Sequence, residues 1–295
     1  MSKSDFLERL SKGEVLVSDG ATGTNLQKMG LPVGAAGEVW VQDNPDAIRQ
    51  LNNAFIEAGS NVVLTCTFGA TRLRLSASGL DGDDEIINRR AVAITKEAVG
   101  ERDVLVGGSI GPTGQLLAPL GTVTPEEAED DFRRQAQFLV EAGVDLIVIE
   151  TQFDLNEATA AVRGVRSVDS AIPLVCSFSY DRGTRTMMGV RPEVMAELIG
   201  TMPVDVLGVN CGRSLEENLE VLRQLHQVTD LPIWFKPNAG MPEMDEQGNP
   251  RYSVTPEAMG ALVPEWIAVG AQIVGGCCGT SPAHLEEIAR AAHRV

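Results

Sequence analysis

The sequence predicts a single (β/α)8 barrel over residues 1–295. Eight short runs rich in β-branched residues alternate with eight longer amphipathic segments along the chain. Near-continuous apolar runs are typical of parallel strands that are buried on both faces. Because no low-complexity break interrupts the alternation, we expect one closed barrel, with an open doubly wound sheet as the alternative.

The predicted strands are the short apolar runs. They cover Val15–Ser18, Asn61–Thr65, Val104–Ser109, Asp145–Glu150, Pro173–Phe178, Val204–Asn210, Pro232–Pro237 and Gln272–Gly275. The predicted helices lie between them and cover Pro45–Ala58, Asp84–Val99, Pro125–Ala142, Asn156–Val168, Pro192–Gly200, Leu215–Thr229, Pro256–Val269 and Pro282–Ala292. Barrel enzymes carry their chemistry at the carboxyl ends of the strands, so residues that follow each run are candidate site residues.

Helix boundaries carry their own signals. Thr124, Thr255 and Ser281 each precede a proline, which is the pattern of a hydroxyl N-cap followed by proline at the first helical position. Gly143 and Gly270 follow two of the helical segments, where glycine suits a left-handed residue. The glycine- and proline-rich stretch Pro237–Pro250 predicts a loop on the active face.

The amino-acid composition argues against several classes of function. The 24 Lys and Arg residues stand against 41 Asp and Glu residues, which gives a net charge of -17. Such a surface repels phosphate backbones and anionic lipids, so we expect no nucleic-acid partner and no membrane partner. No apolar run approaches the roughly 20 residues of a spanning helix. Since Met1–Lys12 has no signal-peptide pattern, we predict a cytoplasmic protein, whose five cysteines are thiols or metal ligands.

Three of these cysteines stand at predicted strand ends. Cys211 follows the sixth strand, and Cys277 and Cys278 follow the eighth within a glycine-rich segment. These strand ends can converge across the barrel mouth, and three protein ligands with one open position form a catalytic zinc site. The alternatives are packed thiols and a vicinal disulfide.

An all-cysteine ligand set favours a particular chemistry. A thiol is a weak nucleophile until it loses its proton, and coordination to zinc removes that proton near neutral pH. Three thiolates already make the site anionic, so a fourth, substrate sulfur stays electron-rich. The cysteines therefore predict alkylation of a sulfur atom.

Two carboxylates are the next candidates. Asp19 ends the first strand, before the turn that begins at Gly20, and Glu150 ends the fourth strand. Carboxylates beside an anionic metal site require a cation, which the ammonium group of a substrate would supply. The alternatives are that Asp19 caps the following helix and that Glu150 pairs with an arginine at the rim. The turn lacks both common nucleotide-binding patterns.

These motifs together resemble the homocysteine S-methyltransferase family, including the homocysteine-binding module of cobalamin-dependent methionine synthase. The resemblance covers nearly the whole chain and rests on Asp19-Gly20-x-x-Gly23-Thr24, Glu57-Ala58-Gly59-Ser60-Asn61, Ile149-Glu150-Thr151, Gly208-Val209-Asn210-Cys211, Pro237-Asn238-Ala239-Gly240 and Gly275-Gly276-Cys277-Cys278-Gly279-Thr280. It implies a (β/α)8 barrel with Zn²⁺ on Cys211, Cys277 and Cys278. It also implies that Asp19 and Glu150 contact the amino group of homocysteine, that Gly20 gives backbone contacts, and that Asn238 lies near the metal.

Two positions depart from the family pattern. Cys66 stands where the methionine-synthase branch has asparagine, and Gly69 stands where betaine-dependent members usually have an aromatic residue. Aromatic residues make up only 4% of the chain. A cage for a quaternary ammonium donor needs several, so betaine is disfavoured as the donor.

The leading hypothesis is therefore zinc-dependent methyl transfer to homocysteine, which gives methionine. No donor-binding domain follows the last predicted helix, so we expect either a small donor such as S-methylmethionine or S-adenosylmethionine, or a separate methyl-corrinoid protein. The chain as a module of a longer enzyme is another interpretation. Two further hypotheses are a non-catalytic module that binds homocysteine and zinc, and a redox switch built on Cys277 and Cys278.

Overall fold

The computed structural model describes residues 5–244 and 250–294. The strands are β1 (Leu16–Val17), β2 (Val62–Leu64), β3 (Leu105–Ile110), β4 (Leu146–Gln152), β5 (Leu174–Phe178), β6 (Val206–Cys211), β7 (Ile233–Pro237), β8 (Pro242–Met244), β9 (Pro250–Tyr252) and β10 (Ala271–Val274). Eight of them form one parallel sheet in the order β1-β10-β7-β6-β5-β4-β3-β2. The other two, β8 and β9, form an antiparallel hairpin after β7.

The sheet closes between its two end strands. A parallel bridge joins Ser18 to Val62, and the amide of Asn61 donates to the carbonyl of Val17 over 2.6 Å. The Asn61 side chain returns this bond, because its Oδ1 accepts from the amide of Val17 over 2.9 Å. The predicted (β/α)8 barrel is confirmed, with a short seam between β1 and β2.

Helices surround the barrel and connect its strands. They are α1 (Asp5–Ser11), α2 (Thr22–Lys28), α3 (Val39–Asp43), α4 (Pro45–Glu57), α5 (Arg72–Ala77), α6 (Asp84–Val99), α7 (Pro125–Ala142), α8 (Leu155–Val168), α9 (Pro192–Ile199), α10 (Leu215–His226), α11 (Pro256–Val269) and α12 (Pro282–Ala292). All eight predicted helices are present, with boundaries that differ by at most three residues. The sequence does not predict the short helices α1, α3 and α5, and it indicates α2 only as a helix after Asp19, because each has seven residues or fewer.

The predicted helix boundaries form as their chemistry indicates. Thr124 begins α7 with a capping box, and the Thr255 side chain accepts from the amide of Ala258. Ser281 begins α12, where the ring of His284 takes the place of the usual acidic residue in the box. Gly143 ends α7 at a φ of 86°, in the left-handed region.

Two apolar cores hold the barrel. The inner core lies inside the sheet and includes Leu16, Val148 and Trp234, while the outer core lies between the sheet and the helices. The inward side chains of parallel strands fill a barrel in this way, so its interior is packed and not a channel. Chemistry is therefore confined to the mouth.

Two sequence predictions concern surfaces and loops. Among residues 5–244 and 250–294, no helix is both long and apolar enough to cross a membrane. The predicted active-face loop Pro237–Pro250 contains β8 and leads into β9, while its residues 245–249 lie outside the described part of the chain.

Candidate active site

The barrel mouth brings three cysteine sulfurs together. The Sγ atoms of Cys211, Cys277 and Cys278 all lie within 4.8 Å of one another. Those of Cys211 and Cys277 are 2.9 Å apart, although 66 residues separate them in the chain. Cys211 ends β6 and the other two follow β10, with β7 between them in the sheet. The predicted convergence of these strand ends is therefore present, and all five cysteines of the chain are free.

The backbone turns sharply at Cys211. Its φ is 59°, and the φ of Gly212 is 79°, so two successive residues are left-handed. Such a conformation costs a residue with a side chain about 1 kcal/mol or more, and it persists where the surroundings enforce it. A Cβ on Gly212 would lie 2.1 Å from Oδ1 of Asn218, so this position requires glycine.

Two asparagines hold this turn. The Asn218 side-chain amide donates to the carbonyl of Cys211 over 2.6 Å, and the Asn238 side-chain amide donates to the carbonyl of Gly212 over 2.7 Å. Asn238, which the sequence predicts near the metal, thus lies beside the ligand-bearing turn. Its Oδ1 is buried and has no hydrogen-bond partner among the described residues.

Asn210 connects the cysteines to the end of β4. Its Oδ1 accepts from the amide of Thr151 over 2.9 Å and from the hydroxyl of Ser177 over 2.7 Å. Its Nδ2 donates to the Thr151 hydroxyl over 2.7 Å and faces the Cys277 sulfur at 3.9 Å. Thr151 is left-handed, with a φ of 62°, and this conformation follows directly after Glu150. Asn210 therefore links the backbone next to Glu150 to the cysteines and holds these groups close together.

Asp19 lies just behind the mouth and already has a cationic partner. Its Oδ1 accepts from Nζ of Lys236 over 2.6 Å, and its Oδ2 accepts from the amide of Leu64 over 2.8 Å. Both side chains of the ion pair are at most 3% exposed. The cap alternative is wrong, because Ala21 precedes α2 and no side chain caps that helix. Sequence analysis missed Lys236, since a lysine inside a strand is expected to reach solvent.

Glu150 faces the cavity itself. Its Oε1 accepts from the Ser109 hydroxyl over 2.6 Å, so the alternative of a rim arginine as its partner is wrong. Burial raises the pKa of Glu150 to about 7, against the opposing effects of the Lys236 charge and the Ser109 hydrogen bond. The nearby Cys277 adds to the increase. A buried carboxylate with a raised pKa lacks sufficient positive charge around it, and a ligand ammonium would supply that charge.

A cavity of about 430 Å³ joins these groups. Its wall includes the three cysteines, Glu150, Lys236 and the turn that begins at Gly20. A Cβ on Gly20 would lie 2.8 Å from both Leu285 and Phe55, so only glycine lets this turn pack against the outer core. Asp19 and Asn238 are not among the lining residues. Space for a small amino acid therefore lies directly beside the sulfurs.

Other residues complete the wall of the cavity. Cys66 and Phe68 line it, and burial raises the pKa of the Cys66 thiol well above its usual value. Glu38 also lines this wall and accepts from the amide of Gly69. Cys66 is thus both a packed thiol and a wall residue, and its neutral form adds no charge to the cavity.

The three cysteines have the chemistry of a metal site. Hydrogen bonds that the Cys211 thiol donates to the other two sulfurs, together with burial, raise the pKa of Cys211 well above its usual value. Three adjacent thiols cannot all ionise unless a cation compensates their charge. A divalent ion among the sulfurs would supply it, and thiolates are ligands that zinc prefers. The cluster fits a metal ion on its donor set and spacing.

Solved structures of a homocysteine methyltransferase share this fold. The crystal structure of the metallated homocysteine methyltransferase MmuM from Escherichia coli superposes with a TM-score of 0.80 at 26% identity, over 98% of this chain and 99% of that one. The oxidized form of the same enzyme gives a TM-score of 0.78 at 25% identity, over 95% of this chain and 96% of that one.

Sequence relatives extend the comparison. Methionine synthase from Mycobacterium tuberculosis is 31% identical over 99% of this chain, and its counterpart from Mycobacterium leprae is 31% identical over the same share. The chain spans about a quarter of these relatives, 26% and 25% of their lengths. The sequence profile of the homocysteine S-methyltransferase family matches residues 16–292. The chain therefore belongs to the homocysteine S-methyltransferase family.

Proposed function

We propose that residues 1–295 act as one homocysteine-binding barrel domain that transfers a methyl group to the thiol of homocysteine and forms methionine. The observation that carries the proposal is the trio of sulfurs within 4.8 Å at one end of an amino-acid-sized cavity. A buried carboxylate at the same cavity provides the complementary charge for an amino group.

We infer that the metal is Zn²⁺ and that Cys211, Cys277 and Cys278 hold it. When bound, zinc keeps the substrate sulfur deprotonated and nucleophilic near neutral pH. The sulfur then attacks the donor methyl carbon, the bond from that carbon to the donor breaks, and the donor keeps its electron pair. The three cysteines have a proposed catalytic role because they would hold the metal that binds the reacting sulfur beside the donor.

The amino and carboxyl groups of the substrate lie against the part of the cavity wall that includes Glu150 and Gly20. Glu150 binds the ammonium group, and the backbone that begins at Gly20 contacts the same end of the molecule. Asp19 forms an ion pair with Lys236, which lines the cavity, so a contact between Asp19 and the ammonium group stays a prediction. Asn238 holds the turn that carries Cys211.

The donor reaches the sulfur through the open mouth. Large exposed hydrophobic side chains stand on the loops after β3, β5 and β7 at this face: Leu116, Leu120, Met187, Met188, Met241 and Met244. Apolar side chains around a site are typical of a protein-binding rim, which supports a separate methyl-corrinoid protein as the donor. The small-molecule alternative is S-methylmethionine, and full activity with it alone would exclude the need for a partner protein.

The remaining proposals follow from charge and thiol chemistry. The net charge of -17 supports no nucleic-acid partner and no membrane partner. A site of three reduced cysteines requires a reducing compartment, which supports the cytoplasm.

Metal analysis of purified variants tests the function. We expect about one zinc per chain in the wild type, and loss of both zinc and methyl transfer in Cys278→Ala. The matched control is Cys176→Ala, because Cys176 is a fully buried cysteine of β5 outside the cluster. Stoichiometric zinc and full activity in Cys278→Ala would contradict the mechanism. Zinc with tight homocysteine binding, but no turnover with any donor, would instead identify a non-catalytic binding module.

A further inference from the structure

The hairpin β8–β9 leads back to the cysteine cluster. Tyr252 ends β9 and pairs with Pro242 of β8. Directly after it, the amide of Val254 donates to the carbonyl of Ala239 over 3.1 Å, and the amide of Ala239 donates to the carbonyl of Cys278 over 2.9 Å. The returning strand is thus linked to the residue that carries one of the sulfurs.

A histidine fixes the same segment from the other side. The ring of His284, in the first turn of α12, contacts the carbonyl of Val254 through Nε2 over 2.9 Å. Its Nδ1 contacts Ser281 at the start of the helix. The residues around Tyr252 are therefore held both by the loop after β7 and by the helix after the cysteines.

Tyr252 itself covers the cysteine loop. A Cβ placed on Gly279 would lie 2.2 Å from Cγ of Tyr252, so the ring lies directly on the backbone of Gly279. The Tyr252 side chain thus lies beside Cys278, which precedes Gly279 in the chain. A tyrosine hydroxyl is protonated at neutral pH, so it can donate a hydrogen bond to a nearby thiolate.

We propose that Tyr252 is a positioning residue for the metal, which donates a hydrogen bond from its hydroxyl to the Cys278 sulfur and fixes that ligand in place. The inference rests on the proposed zinc site. A thiolate that accepts a hydrogen bond carries less negative charge, and a donor on a fixed ring also limits where the sulfur can move. The hairpin thus completes the surroundings of the metal with a residue about 40 positions away from Cys211 and 26 from Cys278.

The glycine after Cys278 belongs to the same arrangement. Gly279 has a φ of 84°, and its missing side chain leaves room for the ring of Tyr252. Any larger residue there would displace the ring and would also strain the backbone next to Cys278, so Gly279→Ala tests the arrangement as a whole and Tyr252→Phe tests the hydroxyl.

Zinc affinity, measured by competition with a chelator, tests the proposal. We expect Tyr252→Phe to weaken zinc binding about 10-fold, because removal of a partner of a metal ligand typically costs 10- to 100-fold. The matched control is Tyr180→Phe, since Tyr180 is the other tyrosine of the chain and its buried hydroxyl has no hydrogen-bond partner among the described residues. This control should bind zinc as the wild type does.

A spectroscopic measurement separates the hydrogen bond from a general packing effect. In the cobalt-substituted protein, loss of a hydrogen bond to a thiolate should move the sulfur-to-metal charge-transfer band to lower energy in Tyr252→Phe. The same shift is expected in Gly279→Ala. Thermal unfolding in the presence of a chelator checks that each variant folds.

The outcomes are distinguishable. Wild-type affinity and an unmoved band in Tyr252→Phe would overturn the role of Tyr252 and leave the zinc site intact. If the wild type itself binds no zinc, the proposed function fails, and the role of Tyr252 fails with it.

Discussion

Lys236 changes the charge of the site at the scale of single residues. Without it, Asp19 and Glu150 would be two buried carboxylates beside three cysteines. Lys236 neutralises the charge of Asp19 in an ion pair, so a ligand ammonium has to compensate only the charge of Glu150. Breaking a buried ion pair by removing one partner leaves an uncompensated charge, and this is strongly destabilising.

We therefore expect Lys236→Met to lower the free energy of unfolding by about 3–5 kcal/mol. Urea denaturation measures this change. Lys28→Met is the control, because Lys28 is exposed and its replacement should change the free energy of unfolding by about 0.5 kcal/mol or less. The double variant Lys236→Met/Asp19→Asn should recover part of the loss, since no unpaired charge then stays buried. A single variant as stable as the wild type would contradict this account.

Glu150 predicts a pH dependence of catalysis. Its raised pKa of about 7 means that the carboxyl is neutral at lower pH and becomes charged as the pH rises. Only the charged form attracts an ammonium group, so kcat/KM for homocysteine should increase as the pH rises through about 7. In Glu150→Gln this step should disappear, with a raised KM and unchanged zinc content.

Glu157→Gln provides the control for that profile. Glu157 is also a buried glutamate with a pKa raised by burial, but it accepts hydrogen bonds from Thr113 outside the cavity. Its variant should keep the step near pH 7. If the step survives in Glu150→Gln, another group is responsible for it.

At the scale of single residues, the sequence predicts which residues take part in the site better than it predicts which side chains contact them. The cysteines and Glu150 stand at strand ends, and strand ends meet at the mouth of a barrel, so their placement follows from topology. Lys236 also stands at the end of a barrel strand, but nothing local shows that its charge is buried and paired, and Asn218 and Tyr252 lie away from the barrel strands. Their roles depend on side-chain contacts between segments far apart in the chain, which local patterns do not encode.

The secondary-structure elements follow local rules more closely. Strong apolar periodicity predicts each long helix, and a hydroxyl residue followed by proline predicts where α7 and α11 begin. The short helices and the hairpin are poorly predicted, because they are only three to seven residues long. A helix of that length shows less than two turns of apolar periodicity, and a strand of three residues shows only one pair of alternating positions.

A cap variant tests this dependence on local signals. Thr124 accepts from the amide of Glu127, whose side chain accepts in return from the amide of Thr124. Thr124→Ala should lower the free energy of unfolding by about 1 kcal/mol, as measured by denaturant unfolding. Thr122→Ala, an exposed change two residues earlier, should have a much smaller effect. Equal effects of the two changes would show that the cap contributes little.

At the scale of the whole molecule, the barrel is weakest at its seam. β1 has only two residues, and its link to β2 depends on the Ser18–Val62 bridge and on the paired bonds of Asn61 to Val17. The other neighbours pair over three or more residues, apart from β1 with β10. The Asn61 side chain therefore substitutes for a longer strand.

Removal of that side chain should loosen the closure. Asn61→Ala leaves the amide of Val17, in a fully buried residue, without its acceptor, which costs about 1–3 kcal/mol of unfolding free energy. Chemical denaturation measures the loss, and Asn53→Ala on α4 is the control, because Asn53 is only half-buried and accepts from Arg102, away from the barrel strands. An unchanged stability in Asn61→Ala would mean that the seam has other support.

The distance in sequence between the cysteines has a consequence for biosynthesis. Cys211 is translated 66 residues before Cys277, and β7, the hairpin and α11 lie between them. A nascent chain that ends before β10 has one of the three sulfurs and no place for a metal ion. Metal uptake at the proposed site would thus depend on synthesis and assembly of the last quarter of the barrel, and a metal-loaded protein would be one whose folding has reached its final strand.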